Sequence, residues 1–220
     1  MAFHGKLASA AALLAAALLV AGSARAADLA RGAEVYKLCA QCHEPTGIGN
    51  PLFLAPTIAN LPDWYIKAQL NAFRGGLRGL HPEDTGGLRM YPMSRAIADE
   101  ADVEAVAAYV ASLPDVTPPR QIEGDAARGQ TLYTPCTACH GPQGAGNQAL
   151  NAPPIATQSD WYLLKSLEKF KAGIRGNDTR NANAQIMRGM ANTLPDEQAM
   201  KDVVAYIKSL SGQTAAASGQ

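Results

Sequence analysis

At 220 residues the chain is long enough for one large domain or two small ones. Its 47% hydrophobic content and formal net charge of zero exclude a disordered chain and fit an ordinary soluble globular protein. No basic run supplies the electrostatic footprint of a nucleic-acid binder.

The first element is a leader. After Lys6, Leu7 to Gly22 run almost wholly through Ala, Leu and Val, and Ala24-Arg25-Ala26 closes the stretch with small residues where a signal peptidase reads. A membrane anchor would need roughly 20 apolar residues. Residues 1–26 therefore read as a signal peptide removed after Ala26, and at most a peripheral association with the membrane is expected.

Beyond the leader the chain is written twice. A shift of 97 positions superposes it on itself without a gap from about Ala30 to Leu113. Gly32 falls on Gly129, Tyr36 on Tyr133, Pro56 on Pro153, Asp63-Trp64-Tyr65 on Asp160-Trp161-Tyr162, and Arg78-Gly79 on Arg175-Gly176. Repetition of this kind marks duplicated domains. The boundaries are 27–114 and 124–211, with a Pro-rich, extended linker at 115–123 and a disordered tail at 212–220.

Each repeat reads as all-α. A helix fits Trp64 to Phe73, with its twin at Trp161 to Phe170. The last helix of the first repeat spans Asp99 to Leu113, with Val106, Tyr109, Val110 and Leu113 on one face; Val203, Tyr206, Ile207 and Leu210 repeat that spacing. Asp99, Glu100 and Asp102 suit the positive end of a helix dipole. Pro195 reads as a first-turn proline of the second copy. Domains of about 85 residues with long loops struggle to assemble a core from their own side chains. A large flat cofactor at the centre would supply one.

Cys39-Ala40-Gln41-Cys42-His43 and Cys136-Thr137-Ala138-Cys139-His140 have the C-x-x-C-H pattern of haem c attachment. Residues three apart on a helical turn share a face, so both thiols reach one porphyrin and the histidine after them reaches its iron. A zinc site would need two motifs in separate domains to converge and leaves both histidines unexplained. A thioredoxin-like role needs a βαβ context that is missing. Two haem c groups, attached through Cys39, Cys42, Cys136 and Cys139 with His43 and His140 on the iron, are expected. Each repeat also offers an M-x-x-M before its last helix, Met90 and Met93, then Met187 and Met190. Either member can be an iron ligand or core filler. Trp64 and Trp161 can hydrogen-bond a propionate or pack the core. Arg78 and Arg175 are candidates for balancing propionate charge.

Tandem C-x-x-C-H repeats, each closing with a methionine and a helix ending in A-Y-[IV]-x-S-L, resemble the dihaem cytochrome c4 family from Ala30 to Leu210. The resemblance implies two tandem class I cytochrome c domains, each wrapped around one covalent haem. It implies Met90 and Met187 as the distal ligands, nine residues before the acidic starts at Asp99 and Asp196. It also implies that the carbonyls of Pro56 and Pro153 orient the proximal imidazoles. Glu44-Pro45 departs from the family's glycine after the first haem histidine, whereas Gly141 keeps it.

The expected function is a soluble periplasmic electron carrier rather than an enzyme. A membrane cytochrome complex or a dehydrogenase is its donor, and a terminal oxidase or reductase its acceptor. The alternative is a dihaem redox enzyme of the peroxidase or thiosulfate dehydrogenase type, which needs a displaceable His or Cys ligand. Only His81 is spare, and its counterpart is Asp178.

Overall fold

The computed structural model of the chain describes residue 26 and residues 28–217, with side chains described as far as Ser211. The leader, apart from Ala26, and residues 218–220 lie outside the described residues. Among the described residues there is no strand, only the isolated bridges Asn50–Ala55 and Asn147–Ala152. No helix there is long and apolar enough to cross a membrane.

The first domain comprises α1 (28–43), α2 (Asp63–Arg74), α3 (Thr85–Arg95) and α4 (Glu100–Ala111). The second comprises α5 (Ala126–Tyr133), α6 (Thr137–His140), α7 (Asp160–Lys171), α8 (Ala182–Asn192) and α9 (Glu197–Ala217). Proline explains the unequal count. Pro135 stands where the first repeat has Leu38, has no amide to donate, and divides the equivalent of α1 into α5, a 3₁₀ turn and α6.

The first helix of each domain crosses the last. Gly32 packs against the Ala105 carbonyl and Gly129 against that of Asp202, so close that a Cβ at either would collide with backbone. Tyr36 then meets Tyr109 with ring centroids 5.3 Å apart, and Tyr133 meets Tyr206 at 5.4 Å. Around these crossings Ile66, Leu70, Val103, Val106 and Val110 form one core, and Leu163, Leu164, Val203, Val204 and Ile207 the other. Asp99 caps α4 by accepting from the Asp102 amide at 2.9 Å. At α9 the cap is Asp196, which accepts from the Ala199 amide at 2.8 Å. Pro195 therefore precedes the cap instead of occupying the first turn. Helical backbone also continues through Ala217, where sequence composition suggests a disordered tail from 212.

The linker is held at both ends. Asn60 brackets Val116, accepting from its amide at 2.9 Å and donating to its carbonyl at 2.6 Å. Asp160 accepts from the amides of Gln121 at 2.6 Å and Ile122 at 2.9 Å. Between the domains, the buried hydroxyls of Thr57 and Ser159 lie 2.8 Å apart, and Gln158 donates to the Thr57 carbonyl at 2.9 Å. Lys208, buried in α9, supports that loop by donating to the carbonyls of Ala156 and Gln158.

Candidate functional site

The C-x-x-C-H motifs end α1 and α6, where helix geometry turns their side chains to one side. The loop after each motif doubles back. Gly49 and Gly146, at φ +85° and +80°, leave no room for a Cβ against the backbone at Pro56 and at Pro153–Pro154. The Asn50–Ala55 and Asn147–Ala152 pairs close the turn. This returns the proline carbonyls to the histidines, with His43 Nδ1 2.8 Å from Pro56 O and His140 Nδ1 2.9 Å from Pro153 O. A carbonyl only accepts, so each Nδ1 donates and each Nε2 carries the lone pair a metal requires. Burial lowers both imidazole pKa values, outweighing the proline carbonyls, and keeps the rings neutral.

One cavity of about 610 Å³ is lined from both domains. Its walls include Cys39, Cys42, His43, Pro56, Cys136, His140 and Pro153. Cys139 is half-buried on α6 but is not among the wall residues. All four methionines, Met90 and Met93 from α3 and Met187 and Met190 from α8, also reach the cavity. Met90 packs in addition against the first domain's apolar cluster. Burial pushes the Cys39 thiol up to about 11 and raises Cys136 as well, away from the thiolate that zinc binding or disulfide exchange needs. Among the described residues no group of three or more His, Cys, Asp or Glu comes together in a way that could hold a metal ion.

Two arginines stand at the domain boundary on the cavity wall. Arg78 donates to Gln69 Oε1 at 2.7 Å and across the boundary to Tyr162 Oη at 2.6 Å, stacks on Phe73, and keeps a buried Nε with no partner. Arg175 reaches the same Gln69 at 3.3 Å and stacks on Phe170. Among the described residues both guanidiniums hydrogen-bond to neutral groups. Burial alone would raise the Tyr162 phenol, but the two arginines outweigh it and hold the phenol below its ordinary value. Two half-buried cations, one with a buried and unpartnered N–H, call for an anion. The propionates of a haem meet that demand, while neutral imidazoles, thiols and an apolar cavity meet the rest, so the residues fit the cofactor.

Some sequence expectations separate here. Trp161 lines this cavity, whereas Trp64 lines a shallow surface cleft with Asn60 and Gln148. His81 accepts from the Glu83 amide at 3.3 Å and is not among the wall residues. The cross-domain contacts of Gln158, of Ser159 and of Asp84, which pairs with Lys169 of the second domain, belong to no motif. They join positions that are not equivalent in the repeat, so self-comparison gives no signal. Asp84 before Thr85-Gly86-Gly87 is still recognisable as a helix cap.

The chain matches the family described as Cytochrome c twice, over residues 29–114 and 126–211. It is 31% identical over 201 residues to a thiosulfate dehydrogenase electron acceptor of Stutzerimonas stutzeri, covering 86% of this chain and 89% of that protein. It is 30% identical over 201 residues to cytochrome c4 of Azotobacter vinelandii, covering 85% and 90%. Its fold matches reduced cytochrome c4 from Pseudomonas stutzeri with a TM-score of 0.64 at 28% identity, covering 80% of this chain and 95% of that one. Two such domains with Cys39, Cys42, Cys136 and Cys139 at the attachment positions carry two covalent haem c groups.

Proposed function

We propose that this chain, which belongs to the cytochrome c family and within it to the dihaem cytochromes c4, is a periplasmic electron carrier with no catalytic turnover of its own. One observation carries the reading. Each domain brings a neutral, proline-anchored histidine and a pair of methionines to a common cavity, and the spare His81 stays off its wall.

His43 and Met90 ligate the first iron and His140 and Met187 the second, leaving Met93 and Met190 as packing. Bound haem c supplies a one-electron iron couple. The chain's own residues set its working conditions. Pro56 and Pro153 raise the basicity of the imidazoles by accepting their Nδ1 protons. The thioether ligands favour the reduced state and raise the potential. Arg78 and Arg175 offset the propionates, and the apolar wall excludes water.

The periplasmic assignment is in keeping with the apolar leader read in residues 1–26 of the sequence. The first part of the mature chain, Ala27 to Pro119, has 7 basic and 11 acidic side chains, a balance of −4. From Arg120 to Gln220 there are 10 basic and 8 acidic, a balance of +2. Redox partners meet through small interfaces where charge steers encounter, so the two domains face different partners. A dehydrogenase donor is in keeping with the name of the Stutzerimonas relative, and a membrane cytochrome complex is the other donor class. A terminal oxidase or reductase is the acceptor.

Carbon monoxide binding to the reduced protein tests carrier against enzyme. Slow binding at both haems, with no thiosulfate-oxidising or peroxidase turnover, is expected. Fast binding at one haem reveals an open position and overturns the carrier reading in favour of a dihaem enzyme.

A further inference from the structure

The two methionine-bearing helices start in different ways. Asp84 caps α3, its Oδ1 accepting from the Gly87 amide at 3.0 Å, and is only 2% exposed. A Cβ at Gly87 would collide with the Asp84 carboxylate as it is now placed. The same oxygen accepts from Lys169 Nζ at 2.5 Å, and Lys169 belongs to α7 of the second domain. Both residues lie on the wall of the haem cavity. At the start of α8 the equivalent cap is Asn181, which accepts from the Ala184 amide at 3.1 Å. The position equivalent to Lys169 is Ala72, which has no charge to offer in return.

A cap fixes where a helix begins and the direction in which it leaves. Gly87 lies three residues before Met90, about 4.5 Å along the axis at 1.5 Å per residue. Whatever holds the Asp84–Gly87 contact therefore holds the turn that carries Met90. Burial would raise the Asp84 carboxyl, but Lys169 and the Gly87 amide outweigh it and hold it below the usual range, so the carboxylate stays charged and the ion pair stays made.

We propose that Lys169 is a positioning residue for the iron site of the other domain: by clamping the Asp84 cap it holds α3, and hence Met90, in place for ligation. It does so only while the two domains are docked. The first domain's iron ligation thus depends on its neighbour, and the second domain's does not depend on this pair. The inference rests on the assignment of Met90 as a ligand.

The test uses the full-length dihaem protein with Lys169→Ala, Lys169→Met and Lys169→Arg. The methionine variant retains the aliphatic stem and tests loss of charge if the alanine variant folds poorly. A second set in the Met187→Ala background leaves the remaining methionine–iron charge-transfer absorption to the first haem. Lys169→Ala and Lys169→Met are expected to weaken that absorption, lower the first haem's potential and leave the second's unchanged, with Lys169→Arg restoring both. Amide exchange at Gly87 is expected to rise about tenfold without the clamp. Unchanged Gly87 exchange, or equal shifts at both haems, overturns the proposal. If Met90→Ala keeps the first haem's absorption, the ligand assignment has failed instead. Gly87 exchange then still reports on the clamp.

Discussion

Arg31 of the first domain grips Asp102 with two hydrogen bonds of 2.6 and 2.7 Å. Its counterpart Arg128 pairs with Asp202, which stands opposite Ala105 and not opposite Asp102. The acid has moved one turn along the last helix while the arginine and the glycine beside it have stayed. Gly32 and Gly129 must stay, because backbone of the crossing helix occupies the space a Cβ would take. A carboxylate needs only to come within reach of a long guanidinium, and two successive turns of a helix satisfy that. The duplicated unit has therefore kept its backbone contacts and let the charges that decorate them migrate. The same holds nearer the haem. Glu44, at φ 64°, replaces the glycine that Gly141 retains at 75°, yet Tyr36 Oη still donates to the Glu44 carbonyl at 2.7 Å, as Tyr133 Oη does to that of Gly141 at 2.8 Å.

Variants at equivalent positions sharpen or break this comparison. The largest effect is expected at iron. Met90→Ala and Met187→Ala should each abolish the methionine–iron absorption of one haem and lower its potential by on the order of 0.1 V, a part of the range that axial ligands span. The same change at Met93 or Met190 should leave the absorption intact; the opposite pattern reassigns the ligand in that pair. Next comes the migrated anchor. Asp202 is fully buried and also accepts from the Asp125 amide and from Gln198 Nε2, each at 2.9 Å. Asp202→Ala is expected to cost about 2–3 kcal/mol in a denaturant titration, since bonds to a buried charge are lost. Asp102→Ala should cost less, because its carboxylate is 8% exposed and is held by Arg31, whereas Asp202 is fully buried and held by Asp125 and Gln198 as well as Arg128. Equal losses would show that the two anchors do the same work.

Acid should tell the same story. Hydrogen bonds from Arg31 hold Asp102 below the ordinary carboxylate pKa; at Asp202 burial pulls upward but the Asp125 amide, Gln198 and Arg128 outweigh it. Groups depressed on folding contribute stability above their unfolded pKa, about 3.9, and lose it as pH falls through the folded value. Asp102→Asn and Asp202→Asn should each flatten that acid limb of stability against pH. The smallest effect is expected in the haem loop. Leu54 sits at φ 58°, where its counterpart Asn151 sits at 51°. Asparagine tolerates that region and leucine does not, so Leu54→Asn should gain, and Asn151→Leu lose, about 1 kcal/mol. No gain at Leu54 would mean that its side chain has found packing that offsets the strain.

Much of the site was legible because duplication writes the essential positions twice. The cysteines, histidines and returning prolines stand at one spacing, and Pro56 and Pro153 do reach the imidazoles. The helices expected at Trp64 to Phe73 and Trp161 to Phe170 are present and run one residue further at each end, as Asp63–Arg74 and Asp160–Lys171. The domain boundary was not legible. Thr57, Gln158 and Ser159 meet across it, yet their counterparts in the other repeat are Pro154, Leu61 and Pro62. Contacts of this sort lie about 100 residues apart and have no period, and they arise from how two finished domains dock. The methionine choice, Met90 and Met187, rested on the family resemblance and not on the chain's own geometry. Residues three apart on one helix share a face, so all four reach the cavity and chain geometry alone does not rank them.

The clamped linker sets how weak the rest of the interface can be. Asn60 holds Val116 for one domain and Asp160 holds Gln121 for the other, so the free leash between them spans at most about 18 Å. On so short a leash each domain meets the other at an effective concentration in the millimolar range or above. On that leash the cross-domain contacts, among them Thr57–Ser159, Arg78–Tyr162 and Asp84–Lys169, need supply less affinity than the same contacts between two separate proteins. Duplication on one chain has replaced affinity with proximity, and the contacts at the seam are free to be selected for electron transfer instead of for adhesion.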